Sequence, residues 1–257
     1  MTWLFLVAGG IFGAIIGSFL NVVIARLPRD ESLVTPRSRC PRCEQALPWY
    51  DNIPFLSYIW LRGKCRSCHV RISLRYPLVE ALTAFLFGAA ANRFGFSLDL
   101  AAALVLISSL IAITFIDLDH QIIPNEISLP GIPIGFVFGA FSPTVGPMDA
   151  ALGVLAGGGI LFLIAFLYEK IRGREGMGMG DVKLLAMLGG FLGWQGVLTA
   201  LVVGSLIGSL IGLTVMILKG KSLRLAIPFG PFLALGALVH LFWGTELVAW
   251  YLDPLLG

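Results

Sequence analysis

The sequence predicts an all-α polytopic membrane protein of about eight transmembrane helices with one small extramembrane subdomain. Three observations predict it. Hydrophobic residues fill 57% of the 257 positions and charged residues only 13%, about half of the roughly 25% usual in soluble domains. Long runs lack any Asp, Glu, Lys or Arg. All four cysteines fall in one stretch between the first two of those runs. A soluble enzyme, a disordered chain and a small disulfide scaffold are excluded on these grounds. The formal net charge of +3 is too small to argue for a nucleic-acid partner, and the placement of the positive charges carries the information instead.

The charge-free runs are 1–25, 81–92, 100–116, 127–148, 150–168, 184–218 and 225–245. A bilayer core of roughly 30 Å takes about 20 helical residues. No Lys or Arg precedes Arg26, so the basic start of a cleavable signal peptide is missing and the first run reads as a retained helix. The second is short but is extended by Tyr76-Pro77-Leu78-Val79. As one helix, 184–218 would reach roughly 52 Å at about 1.5 Å per residue, so it is expected to fold back near Gly193-Trp194-Gln195-Gly196. That gives eight helices, the sixth, about 182–193, being the shortest.

Alternating the loops across the bilayer puts seventeen Lys/Arg on one side, in the stretches Arg26–Arg75, Lys170–Lys183 and Lys219–Arg224. Only Arg93 falls on the other. The positive-inside rule makes the basic side cytoplasmic, with both termini outside. Glycines recur every four residues at Gly9, Gly13 and Gly17, and again at Gly204, Gly208 and Gly212. Such stripes let helices approach closely in lipid, either within the bundle or, for one stripe, between copies in an oligomer.

The cysteines form two pairs, Cys40-Pro41-Arg42-Cys43 and Cys65-Arg66-Ser67-Cys68, separated by 21 residues. Paired CxxC turns supply four thiolates to one tetrahedral ion, the pattern of a structural zinc knuckle or ribbon. Neighbouring arginines favour thiolate over thiol. A redox pair or two disulfides are the alternatives, and a reducing cytoplasmic location argues against disulfides. His69 adjoins the cluster, but four thiolates already close a structural site.

Two acids mark the ends of apolar runs. Asp117 closes the third run in Ile116-Asp117-Leu118-Asp119, and Asp181 opens the sixth in Gly178-Met179-Gly180-Asp181-Val182-Lys183. The topology puts both at cytoplasmic helix ends, at similar depth. Intramembrane acids are costly and therefore candidate functional groups. A close carboxylate pair shares a proton, the ionised member taking a proton from water while the protonated one polarises a carbonyl. The alternative is that both acids only cap helices at the membrane edge.

The sequence resembles the type IV prepilin peptidases, membrane aspartic proteases that also N-methylate their product. The resemblance rests on Gly17-Ser18-Phe19-Leu20-Asn21-Val22-Val23 with Arg26-Leu27-Pro28, the double CxxC, and Arg75-Tyr76-Pro77-Leu78-Val79-Glu80. It rests further on Ile116-Asp117 through Ile123-Pro124-Asn125 and on Gly178-Met179-Gly180-Asp181-Val182-Lys183. It spans residues 17–183; the remainder matches only in hydropathy. The Gly-x-Gly-Asp element is shared with presenilin-like intramembrane proteases.

The resemblance implies Asp117 and Asp181 as the catalytic pair. It favours Asp117, seven residues before Pro124, over Asp119, which lies roughly 200° away around a helix of 3.6 residues per turn. It also implies cleavage of a basic leader from prepilin or pseudopilin substrates with an apolar N-terminal helix that enters from membrane lipid. Methylation of the new N terminus from S-adenosylmethionine would follow, in a bacterial inner membrane with the active site on the cytoplasmic side. The expected organisation is a first helix at 1–27, a cytoplasmic zinc subdomain at 28–75 and a membrane protease core at 76–257. No Gly-x-Gly-x-x-Gly follows a strand, so no Rossmann site holds the methyl donor. Glu80 is the candidate acid near the methyl-transfer site, the alternative being a salt bridge to Arg75 or another basic loop residue. A proton-relay transporter, which predicts acids near the midplane and inverted repeats, and a non-catalytic scaffold, which requires Asp117 and Asp181 to lie far apart, are the rival readings.

Overall fold

The computed structural model describes residues 2–172, 178–219 and 228–256. Among them are eight α-helices: α1 Thr2–Arg26, α2 Leu56–Trp60, α3 Arg75–Phe94, α4 Leu98–His120, α5 Asn125–Phe141, α6 Pro147–Arg172, α7 Met179–Lys219 and α8 Gly230–Leu256. No β-strand occurs among the described residues, only two isolated bridges. Five helices (α1, α4, α6, α7 and α8) are long and apolar enough to cross a membrane by length and composition. The chain is a multi-pass membrane protein. The α3 and α5 helices cover the residues expected for the second and fourth spans but are not among those five. Arg174, Lys221 and Arg224, counted above as cytoplasmic, and Gly176-Met177 before Gly178, lie outside the described residues.

The molecule divides into two compact units, Met1–Leu100 and Ala101–Gly257. In the first, α1 runs antiparallel to α3 along the Gly9/Gly13/Gly17 stripe. A Cβ on Gly13 would stand 2.6 Å from the Thr83 carbonyl oxygen, and one on Gly17 would stand 2.8 Å from the Glu80 Cα. Hydrocarbon drives no hydrophobic association between helices, so close backbone approach at small residues supplies the contact. The opposite face of α1 leaves Leu4, Ile11, Ile15 and Phe19 exposed, as a lipid-facing surface requires.

The second unit packs around one apolar core drawn from four helices, with Leu106, Leu110 and Ile113 of α4, Leu161 of α6, Leu184 to Leu188 of α7 and Leu233 to Ala237 of α8. The expected fold-back lies inside α7. Gly193 has φ 71° and ψ −179°, a left-handed φ that glycine adopts without a Cβ clash. The segment before it packs antiparallel to α6, Gly153 against Gly189 and Gly157 against Leu185. The segment after it packs antiparallel to α8, Gly236 against Ala200 and Gly204 against Phe232. Residues 204–208 thereby return to the level at which α8 begins. The run 127–148 is interrupted at Ser142, where Pro143 and Gly146 (φ 85°) end α5 and turn the chain into α6.

The α6–α7 crossing is the tightest approach in this unit, since a Cβ on Gly189 would overlap the Gly153 carbonyl. Gly189→Leu is therefore expected to destabilise the protein by about 1–3 kcal/mol, read as a lower melting temperature in detergent. Gly159→Leu, where a Cβ meets nothing within 4 Å, serves as the neutral comparison.

Candidate functional site

Within the second unit, α4 delivers Asp117 to the interior, where it is only 5% exposed, while Asp119 lies exposed on the other side of the same turn. The helix ends at Gln121 in a left-handed turn (φ 55°), and Ile123-Pro124 returns the chain toward the bundle before α5. Asp181 is half-buried in the first turn of α7. The two carboxylates lie close enough for Asp181 to feel the charge of Asp117. Ile123 links the two positions. A Cβ on Gly180 would touch the Ile123 Cβ at 3.0 Å, and one on Gly230 would reach its Cδ1 at 3.4 Å.

The third component comes from α8. The Gly230 backbone N–H donates a hydrogen bond to Asp117 Oδ2 at 3.0 Å. Gly230 is the first residue of the helix, so its amide has no intrahelical acceptor, and the positive end of the α8 dipole faces the carboxylate. Pro231 follows without loss, because an N–H at that position would also lack an intrahelical partner. A Cβ at position 230 would sit 2.7 Å from Asp117 Oδ2, so only glycine permits this approach. Nearby, Lys183 Nζ donates to Asn125 Oδ1 at 2.8 Å, tying the first turn of α7 to the start of α5. The arrangement combines two carboxylates, one fixed donor and two glycines beside them, and it can activate a water against an extended backbone.

Within the first unit, the two CxxC pairs fold as matching knuckles. The bridges Arg39↔Ala46 and Lys64↔Arg71 close one loop each. Cys40 N–H donates to the Gln45 carbonyl and Cys65 N–H to that of Val70, while Glu44 N–H and His69 N–H donate back to the Cys40 and Cys65 carbonyls. Glu44 (φ 57°) and His69 (φ 55°) hold the same left-handed conformation after each second cysteine. All four cysteines are free, with their sulfurs within 4.8 Å of one another. Cys40 Sγ and Cys68 Sγ stand 3.7 Å apart, close to the roughly 3.8 Å that a tetrahedral ion with metal–sulfur bonds of about 2.3 Å imposes. The backbone N–H groups of Cys43 and Arg42 lower the Cys40 thiol to about 6. Cys43, despite the Gln45 N–H aimed at it, is pushed up to about 11 by desolvation and by the other three sulfurs. Four such thiols lose all their protons only when a cation takes their place. The cluster can hold a metal ion, and His69, exposed beside it, is not needed as a ligand.

Glu80, 9% exposed, sits on α3 against the glycine stripe of α1. Its Oε2 accepts the Phe55 N–H at 3.0 Å, with the Ser18 hydroxyl as a further partner; neither is cationic. An ion pair of this unit joins Arg66 to Asp51 at 2.6 Å. Glu80 lines a cavity of about 440 Å³ bounded by α1, the start of α3 and the knuckles, whose Cys40 and Cys65 form part of its wall. Asn21, 7% exposed, anchors this corner by donating from Nδ2 to the Tyr76 carbonyl at 3.1 Å.

Sequence reasoning missed two groups. Gly230 lay inside a run read only as a span starting at 225, although Pro228-Phe229-Gly230-Pro231 is a strong helix-start signal. Asp51 was also passed over. It takes a bidentate pair from Arg66, through Nε at 3.0 Å and NH2 at 2.6 Å, and Arg66 stacks over Tyr50 at 5.2 Å, bracing the second knuckle.

Two family models match the chain, the Bacterial Peptidase A24 N-terminal domain over residues 11–94 and the Type IV leader peptidase family over residues 104–213. A protein of Aeromonas hydrophila named prepilin leader peptidase/N-methyltransferase is 40% identical over 280 residues, covering 100% of this chain and 97% of that protein. Proteins of the same name are 47% identical in Myxococcus xanthus, over 82% of this chain and 63% of the relative, and 38% identical in Pseudomonas aeruginosa, over 95% and 92%. No solved structure matches the chain. With full-length identity at this level and both domain models matched in order, the chain belongs to the type IV leader peptidase family.

Proposed function

We propose that Asp117 and Asp181 are the hydrolytic pair of a membrane aspartic endopeptidase. The enzyme removes the leader peptide of type IV prepilin-like proteins and then N-methylates the new N-terminal residue. The observation that carries the reading is the convergence of the two carboxylates with the Gly230 amide at the mouth of one helical bundle. Between them the carboxylates hold one proton, because two adjacent negative charges are costly. The ionised member removes a proton from water while the protonated one donates to the scissile carbonyl. The Gly230 N–H fixes the rotamer of Asp117 throughout. Gly180 and Gly230 leave room for an extended substrate backbone beside the pair.

The substrate carries an apolar N-terminal helix and reaches the pair laterally from membrane lipid. The basic loops face the cytoplasm of a bacterial cell and the enzyme resides in the inner membrane, so cleavage occurs on the cytoplasmic side. Residues 28–75 form the zinc subdomain between a first helix at 1–27 and the protease core at 76–257. Cys40, Cys43, Cys65 and Cys68 are the ligands of a structural zinc, since four thiolates leave no open position on the ion. S-adenosylmethionine supplies an activated methyl group to the second reaction. The first unit, with Glu80 and its cavity, serves that reaction.

Three measurements test these assignments. Asp117→Asn and Asp181→Asn are each expected to slow cleavage of a prepilin-like peptide in detergent by about 10²–10⁴-fold, whereas Asp119→Asn, on the exposed side, has a mild effect. Normal cleavage by all three variants would remove the protease assignment, and a dead Asp119→Asn beside an active Asp117→Asn would reassign the first acid. Metal analysis should find about one zinc per chain, lost in a Cys40→Ser/Cys65→Ser variant; a metal-free, fully active wild type contradicts the zinc site. For topology, a single cysteine at Arg93 or Pro143 should react with an impermeant maleimide from outside the cell and one at Arg172 should not. The reverse labelling inverts the orientation.

A further inference from the structure

Residues 45–61 carry a single charged side chain, Asp51, which is 2% exposed and paired with Arg66. The stretch is otherwise rich in large apolar residues that stand uncovered: Trp49 is 77% exposed, Leu56 65%, Ile59 71% and Trp60 82%. Leu56, Ile59 and Trp60 stand at i, i+3 and i+4 of the short α2 helix and therefore share one face. Tyr58 points the other way, its hydroxyl donating to the Ile72 carbonyl at 3.3 Å beside the second knuckle. A contiguous apolar face of this kind marks an interaction surface.

Two contacts set the depth of the stretch. Ser18 Oγ donates to the Asn52 carbonyl at 3.2 Å, and Ser18 lies eight residues before Arg26, the first charged side chain and the end of α1. At about 1.5 Å per residue that is about 12 Å inside the charged end of a spanning helix, deeper than the roughly 5–7 Å that headgroups occupy in each leaflet. The Phe55 N–H meets Glu80, five residues into α3 from Arg75, so the second helix also places the stretch below its charged end. Near that level Phe19 of α1 and Leu78 and Leu82 of α3 are exposed, as lipid-facing side chains are. Non-helical backbone survives at such a depth only when protein satisfies it, and the amides of Asp51, Phe55, Ser57 and Ile59 all donate within the unit. Arg62 and Lys64 follow, both exposed.

We infer that residues 49–60 form an interfacial element lying in the headgroup–acyl boundary on the basic side of the bilayer. Leu56, Ile59 and Trp60 enter lipid, and Arg62 and Lys64 meet the headgroup phosphates. Tryptophan and tyrosine favour this boundary, and a segment of this kind buries its apolar face about 5–10 Å deep. The occupant of the face is lipid because the stretch lies at a depth where α1 already faces lipid and ends at two cations suited to phosphate. Through Tyr58 and the Arg66–Asp51 pair, the element holds the second metal knuckle against the membrane surface. The subdomain expected at 28–75 is therefore not wholly aqueous.

The test is fluorescence of the full-length protein reconstituted in phosphatidylcholine vesicles, in a variant that keeps Trp60 and replaces the other tryptophans by phenylalanine. The quenchers are phosphatidylcholine brominated near the top of its acyl chains and, separately, aqueous iodide. The brominated lipid should remove about half or more of the Trp60 emission and iodide less than about a tenth. A second variant that keeps only Trp49 should behave alike. Both variants must elute as wild type on size exclusion; if either does not, the fall in lipid-quenchable emission from wild type to Trp60→Phe gives the same reading. Quenching by iodide and not by lipid would put the face in water, free for a protein partner, and overturn the inference. Resistance to both quenchers would mean that protein covers the face, a second copy or another part of this chain, and would equally overturn it.

Discussion

A carboxylate placed inside an apolar helical bundle must find its hydrogen-bond partners within that bundle, and Asp117 meets this constraint through the N-terminus of α8. The Gly230 amide is the donor. It reaches Oδ2 only because position 230 has no Cβ, and it is free to donate because it opens a helix. Much else in the second unit follows from this one contact. The first turn of α8 must lie at the depth of Asp117, so the segment of α7 that packs on α8 must return to that depth. The reversal at Gly193 accomplishes this within a single charge-free run. Ile123, turned back by Gln121 after α4 ends, then fills the space between Gly180 and Gly230 and brings Asp181 alongside.

Close backbone contact stands in for hydrophobic burial throughout. The pairs Gly153–Gly189, Gly139–Gly190 and Gly17–Glu80 each bring a helix against main-chain atoms of its neighbour, and lipid offers no competing gain from apolar burial. Asp181 thus sits on a helix that cannot come closer to α5 or α6 without a main-chain clash. The soluble-facing part of the first unit is held differently, by backbone hydrogen bonds within each knuckle and by the Arg66–Asp51 pair.

Most of the helical architecture was legible in the sequence because hydrocarbon imposes a simple rule: charge-free runs become helices, and a run too long for one crossing must turn. The turn at Gly193 followed from run length, whereas the choice of Asp117 over Asp119 came from the family resemblance and only their opposite facing came from spacing. The knuckles were legible for the same reason, since two CxxC pairs have few other uses. What could not be read was contact between elements distant in sequence. Asp117 and Gly230 are 113 positions apart, and no local pattern announces that one will donate to the other. The partner of Glu80 was also hidden, because the Phe55 amide offers no side-chain signal. Asp51 escaped notice because a lone acid in a basic loop is unremarkable until Arg66 folds against it.

The central claim is that Asp117 and Asp181 act on one reacting centre as a single proton-sharing unit. The most direct measurement is the affinity of a leader-derived peptide whose scissile bond is replaced by a hydroxyethylene group, taken through a double-mutant cycle with Asp117→Ala and Asp181→Ala. Groups that bind one hydroxyl together lose most of their contribution when either is removed. The account therefore predicts that each single variant weakens the peptide strongly and that the double variant is little worse than either. Fully additive losses, or affinity unchanged by either substitution, would mean that the two acids act separately and would contradict it.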